Sequence, residues 1–260
     1  MESMAEETLF SEIVKELKTG KYSTPKKLNT LKIELAKKYS YKKIIKNGQI
    51  ISAATDEDRD EIIKILNIKP IRSLSGVTVL ALFSKPHHCP HGACMYCPGG
   101  PKSPFGDTPQ SYTGHEPAAQ RAIRNHFDPY LQVYNRLEHY VINGHRPDKL
   151  ELIFMGGTFP SLDKEYRDEF VTFTYKAIND FAELFIYEDK EGKKQVNYSK
   201  FVEFFETGED FNSIERTNKI HEKILVEKNK NIISLDEEIK KNETSLIRSI
   251  GLTIETKPIS

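Results

Sequence analysis

The chain has 260 residues, 38% hydrophobic and 29% charged, with 38 basic and 38 acidic side chains that cancel to a formal net charge of zero. That is an ordinary globular balance, long enough for one sizeable core with a small appended domain, and it excludes a disordered chain. The longest apolar stretch near a strand, Val77 to Phe83 with one threonine inside it, falls far short of the roughly 20 residues that cross a bilayer, and the acidic start from Met1 to Glu12 is no signal peptide, so a soluble cytoplasmic protein is expected.

In chain order, Glu6 to Leu66 has helical apolar spacing (Ile13, Leu17; Leu28, Leu31, Leu35; Ile62, Ile63, Leu66), broken by Gly20, Pro25 and an Asn47-Gly48 turn. This predicts a small helical domain over residues 1–70. It is also basic, because Lys15 to Lys46 contains eleven lysines against Glu16 and Glu34 only. Pro70 then leads into a β-rich run from Gly76 to Phe83 that ends where the cysteines begin. Two further apolar runs, Leu150 to Met155 and Ile250 to Ile254, have the length and flanks of buried parallel strands. Helical patterns around Ala118 to Asn125 and Tyr130 to Tyr140 lie between the first two. The alternation predicts an α/β fold with function in the loops that follow the strands. From Asn179 to Asn242 the sequence is charged and weakly patterned, with helices expected at Tyr198 to Phe205 and Ile214 to Lys228 and a turn at Gly192; it reads as a solvated surface insertion.

All three cysteines, Cys89, Cys94 and Cys97, lie within nine residues. An odd, clustered set argues against disulfides and for a metal or a reactive thiol. The Cys-x4-Cys-x2-Cys spacing puts three soft thiolates on one tight loop, suited to iron or zinc. A 4Fe-4S cluster ligated wholly by protein would need a fourth ligand, commonly cysteine, and there is none, so one iron would stay open for S-adenosylmethionine (SAM) to chelate through its amino and carboxylate groups. Zinc held by three cysteines and a histidine competes, because His87, His88 and His91 flank the cysteines. The second element is Met155-Gly156-Gly157-Thr158, directly after the second strand. A glycine pair there lets backbone groups approach a ligand closely, though such a pair is also simply a turn.

The stretches KPHHCPHGACMYCPGGP, TPQSYTGHEPAAQRAI, DPYLQVYNRLEHYVINGHRPDKLELIFMGGTFPS and NETSLIRSIGLTIETKP resemble the radical SAM domain of the Elongator catalytic subunit family in its archaeal form. The likeness is dense from about Pro70 to Tyr166 and again from Asn242 to Pro258; the lysine-rich segment is a looser match to the family's N-terminal tRNA-binding region. The resemblance implies tRNA wobble-uridine C5 carboxymethylation by radical SAM chemistry with acetyl-CoA as co-substrate. It implies that Cys89, Cys94 and Cys97 hold a 4Fe-4S cluster and that Gly156, Gly157 and Thr158 contact SAM, with Glu255 a polar contact to SAM or substrate or a partner behind it. Lys149 falls where the family has a lysine implicated in acetyl-CoA binding, although by itself it reads as a surface lysine before a strand. Tyr96 is the aromatic type that such loops carry before the last cysteine, and Tyr112 and His115 would shape the site. Lys26, Lys27, Lys37, Lys38, Lys42 and Lys43 would grip phosphates of the tRNA anticodon region without reading sequence.

The family continues beyond three strands into a partial (β/α)6 barrel and an acetyltransferase-like domain. This sequence ends just after the third strand, and residues 71–260 therefore read as the first half of a radical SAM barrel, with an insertion at 179–242 longer than the family's usual connection. The expectation is an N-terminal fragment or split half of the enzyme, completed by a second chain, with an unpaired parallel edge at its last strand. A non-catalytic tRNA-binding or scaffold module that keeps an iron-sulfur or zinc loop is the alternative.

Overall fold

A computed structural model describes residues 2–66, 75–209 and 213–257. Pro70, the expected domain boundary at 70/71 and Pro258 lie outside them. In chain order the elements are the helices α1 (Glu2–Leu17), α2 (Pro25–Lys38), α3 (Asn47–Ala53) and α4 (Asp56–Leu66), the strand β1 (Val77–Phe83), α5 (Pro117–Arg124), α6 (Pro129–Ile142) and β2 (Lys149–Met155). There follow α7 (Lys164–Phe185), a short hairpin of β3 (Ile186–Glu188) and β4 (Lys194–Val196), then α8 (Tyr198–Phe205), α9 (Ile214–Lys228), α10 (Leu235–Glu243) and β5 (Arg248–Ile254). The chain divides into two compact units: Met1–Leu74 with Glu138–Arg146 and Gln195–Lys223, and Ser75–Leu137 with Pro147–Lys194 and Ile224–Ser260.

In the first unit α1 packs on α2, α3 and α4, and the apolar spacing read from the sequence is the buried face: Ile13, Leu17, Leu28, Leu31, Leu35, Ile62, Ile63 and Leu66 are all buried. Pro25 stands at the start of α2, where its missing N–H costs nothing, behind Thr24, whose hydroxyl accepts from the Lys27 amide. Asn47-Gly48, expected as a turn, instead opens α3. The Gln49 side chain accepts from the Lys46 amide (2.9 Å) and closes the first helical turn. Buried Arg59 then donates to the carbonyls of Ile51 (3.1 Å) and Ala54 (2.8 Å), satisfying the end of that helix.

The second unit is built on a parallel sheet of order β1-β2-β5. β1 and β2 run in register from Val77 opposite Lys149 to Phe83 opposite Met155; β2 and β5 pair from Lys149 opposite Arg248 to Phe154 opposite Ile254, with one irregularity at Leu150/Glu151. Leu80 and Leu82 of β1 and Leu150, Leu152 and Phe154 of β2 form a buried face. The outer edge of β1 is closed by side chains in place of a strand. Buried Gln132 donates to the Phe83 carbonyl and accepts from the Phe83 amide (both 2.9 Å), and Arg121 donates to the Ala81 carbonyl (2.9 Å).

Two expectations are corrected. The third strand is not a fully buried one: Ile250, Leu252 and Ile254 are 53%, 40% and 37% exposed, because among the described residues β5 is the edge of the sheet and pairs only with β2. Nor are residues 179–242 merely a solvated insertion. Asn179 to Phe185 complete α7, and Phe185, Val196, Phe201, Phe205, Ile220 and Ile224 are buried, so the charged composition describes only the outer faces of amphipathic helices. In the first unit Arg216 and Glu138 form a buried ion pair (2.6 Å). In the second, Asn179 holds the Glu238 carboxylate (2.7 Å), and Asn242 bonds both Asn179 (2.7 Å) and the Ile247 carbonyl (3.1 Å), tying α7 to α10 and the start of β5.

Candidate functional site

Parallel strands place their following loops at one end of the sheet, and three such loops line an open cavity of about 490 Å³ in the second unit. The loop after β1 contributes Cys89, His91, Cys94, Tyr96, Cys97, Gln110 and Ser111. The turn after β2 contributes Gly157 and Thr158, and the segment after β5 contributes Glu255, Thr256 and Lys257. Residues that the sequence reading took from three separate stretches therefore line one space. Backbone bonds continue the ladder into these loops: the Ser84 amide donates to the Met155 carbonyl (3.1 Å) and the Glu255 amide to the Phe154 carbonyl (2.9 Å).

Gly156 and Gly157 hold φ of +117° and +101°. A Cβ on Gly157 would lie 2.9 Å from the Gln110 Cβ and 3.1 Å from the Cys89 Sγ, so glycine is required there both for conformation and for the close approach of this turn to the cysteine loop. Next to it the buried Thr158 hydroxyl donates to the Cys89 Sγ (3.4 Å), and the Thr158 carbonyl lies 3.3 Å from His87 Nε2. Cys97 Sγ receives the Gln110 side-chain amide (2.8 Å) and the Ser111 backbone amide (3.2 Å). Burial works to raise the Cys97 pKa, but these N–H donors outweigh it and hold the thiol below its ordinary value. His91 Nε2 stands 3.5 Å from Cys94 Sγ. Tyr112 donates to both carboxylate oxygens of Glu255 (2.7 Å each), and its own pKa is raised by burial and then by that carboxylate.

No group of three or more His, Cys, Asp or Glu side chains closes on one point among the described residues. The three thiols are free and all line the cavity without converging on one point. The donor set nonetheless fits an iron-sulfur group: three soft sulfurs, N–H and O–H groups directed at two of them, and a glycine turn packed closely against Cys89.

Other expected site residues lie elsewhere. Lys149 begins β2, at the end of the strand opposite the cavity and about 20 Å away at the usual rise per residue. His115 is exposed, edge-on to the Phe105 ring. In the first unit Lys26, Lys27, Lys37, Lys42 and Lys43 are exposed, the last two beside a cleft with Tyr39 and Tyr41, while Lys38 is engaged by the Glu12 carboxylate (2.6 Å). Sequence reasoning missed Gln110 and Ser111 as partners of Cys97 and did not pair Tyr112 with Glu255. The resemblance covered the segment TPQSYTG, yet no periodicity or spacing marks an amide thirteen residues from a cysteine as its neighbour.

A family model described as the ELP3 N-terminal domain matches residues 6–74. A protein of Methanocaldococcus infernus named tRNA uridine(34) acetyltransferase is 39% identical over 213 residues, 82% of this chain and 40% of its own length. A protein of the same name from Methanocaldococcus jannaschii is 50% identical over 133 residues, 51% of this chain and 25% of its own. Elongator complex protein 3 of Saccharomyces cerevisiae is 42% identical over 179 residues, 65% of this chain and 32% of its own. The chain thus spans well under half the length of these relatives.

Proposed function

We propose, on the premise that this chain belongs to the Elongator complex protein 3 family and matches its N-terminal part, that it is the cofactor-binding portion of an enzyme that modifies the wobble uridine of tRNA. The observation that carries this reading is the single cavity lined by Cys89, Cys94, Cys97, Gly157, Thr158 and Glu255 at the carboxyl end of three parallel strands. In it Cys89, Cys94 and Cys97 hold a 4Fe-4S cluster. Gly156, Gly157 and Thr158 approach SAM through backbone and hydroxyl groups, and Glu255, fixed by Tyr112, receives its polar groups or those of the substrate. What a bound cluster supplies there is the electron for reductive cleavage of SAM. The residues of this chain bind, orient and screen the reactants.

The exposed lysines Lys26, Lys27, Lys37, Lys42 and Lys43 bind the tRNA backbone in the first unit, a single-stranded anticodon loop offering bases that splay into a pocket at little cost. Lys38 contributes less, being paired with Glu12. Acetyl-CoA is the acyl source, and a Lys149 contact to it lies at the other end of the sheet from the cavity. Further strands pair along the outer edge of β5 and, with an acetyltransferase-like domain, complete the catalytic unit, either in the same polypeptide or in a second chain.

Anaerobic reconstitution with iron and sulfide tests the assignment. About four irons and four acid-labile sulfides per chain are expected, with the brown chromophore lost on changing any of the three cysteines to alanine. The position of His91 beside Cys94 favours a second reading, a zinc site of three cysteines and one histidine. Bound zinc with no acid-labile sulfide, lost in His91→Ala, would establish that reading and end the first.

A further inference from the structure

The Gln110 side chain is buried beside the cysteine loop and has no role in the site so far beyond its bond to Cys97. Its carboxamide is held on several sides. A Cβ on Gly100 would come within 2.8 Å of its Oε1, and one on Gly157 within 2.9 Å of its Cβ, so both glycine loops are shaped around it. Its Nε2 donates at 2.8 Å to Cys97 Sγ and at 3.2 Å to the Gly99 carbonyl. The carbonyl can only accept, which fixes the nitrogen, not the oxygen, toward the sulfur. The next residue adds a second donor: Ser111 takes a left-handed φ of +74°, uncommon for a residue with a side chain, and its amide reaches the same sulfur at 3.2 Å. By contrast Cys89 receives one hydroxyl at 3.4 Å, and Cys94 has one imidazole nitrogen at 3.5 Å.

We infer that Gln110 is a positioning residue whose fixed N–H···S bond to Cys97, together with the Ser111 amide, raises the reduction potential of the iron-sulfur cluster. The physical reason is general. An N–H directed at a ligand sulfur stabilises the state with more negative charge on the cluster, which is the one formed when a low-potential one-electron donor adds its electron. The amide is oriented before any cluster binds, so no reorganisation opposes the effect. The inference rests on the iron-sulfur reading above and adds to it the residue that tunes the centre.

The test is a dithionite potentiometric titration, followed by electron paramagnetic resonance, of the anaerobically reconstituted full chain and its Gln110→Leu variant. Removing the donor is expected to make reduction less favourable by about five-fold, a fall of about 40 mV at 59 mV per tenfold for one electron. An unchanged potential in Gln110→Leu overturns the inference while leaving the cluster reading intact, and reduced iron content with an unchanged potential does the same, since that is a purely structural effect. Should Gln110→Leu assemble no cluster, the wild-type chain decides. With glutamine labelled by 15N in its side chains, pulsed resonance on the reduced cluster is expected to show a 15N coupling; its absence overturns the inference. A wild-type chain that takes up no iron and sulfide overturns both this inference and the reading beneath it.

Discussion

Replacing Gly157 with alanine measures how tightly the turn after β2 is fitted to the cysteine loop. A side chain at its φ of +101° carries a backbone cost of about 1–2 kcal/mol. The added Cβ would also sit 2.9 Å from the Gln110 Cβ and 3.1 Å from the Cys89 Sγ, an overpacking that costs about 1–3 kcal/mol. The sum is about 2–5 kcal/mol, which at about 2–4 °C per kcal/mol for a chain of this size lowers the melting temperature by about 4–20 °C. Gly192 is the control: its φ is +73°, but nothing lies within 4 Å of the Cβ it would gain, so Gly192→Ala carries the backbone cost alone. Thermal unfolding followed by circular dichroism compares the two variants. If the turn yields locally in place of the whole unit, buried Cys89 becomes accessible and its alkylation rate rises. The reasoning fails if Gly157→Ala melts no lower than Gly192→Ala and Cys89 reacts no faster than in the wild type.

Four other outcomes are expected. Glu138→Leu leaves Arg216 buried without its carboxylate and should destabilise by about 3–5 kcal/mol, with most of the loss recovered in Glu138→Leu/Arg216→Met; denaturant titration checks both. Burial lowers the Lys32 pKa to about 8, so the unfolded chain binds more protons between pH 8 and its ordinary value, and stability rises with pH across that window. Lys32→Met should remove this rise and, by pH-dependent denaturant titration, gain up to about 3 kcal/mol at neutral pH, less what the lost Asn47 hydrogen bond contributed. Tyr112→Phe removes the donor to Glu255 and should cost about 1.5–3 kcal/mol with weaker SAM binding by calorimetry; an unchanged melting temperature would show that water replaces the hydroxyl. Charge reversal of Lys26 with Lys27, and of Lys42 with Lys43, should weaken tRNA binding for all tRNA species alike and flatten its salt dependence, whereas Lys38→Glu should mainly destabilise the first unit through repulsion of Glu12.

Local signals determined much of the architecture. Helical spacing in Glu6 to Leu66, the apolar runs at Val77, Leu150 and Ile250, and the glycine pair after β2 are short-range patterns that the chain obeys almost residue by residue, because a helix or strand must turn its apolar positions to one side wherever it lies. The spacing of the three cysteines pointed to iron or zinc and left the two open. The sequence misled where a local signal depended on its neighbours: Asn47-Gly48 starts a helix because Gln49 reaches back to cap it, and the charged 179–242 stretch hides buried aromatic residues whose spacing is legible only once the faces they pack against are known. Only the tertiary structure decided that Glu255 answers Tyr112 across 143 residues, that Gln132 stands in for a strand at the edge of β1, and that Gln110 is directed at Cys97. The first follows from parallel strands bringing their following loops to one end of a sheet, the second from Gln132 of α6 reaching the edge of β1, and the third from the folding of the loop after β1, and such contacts leave no periodic trace in the chain.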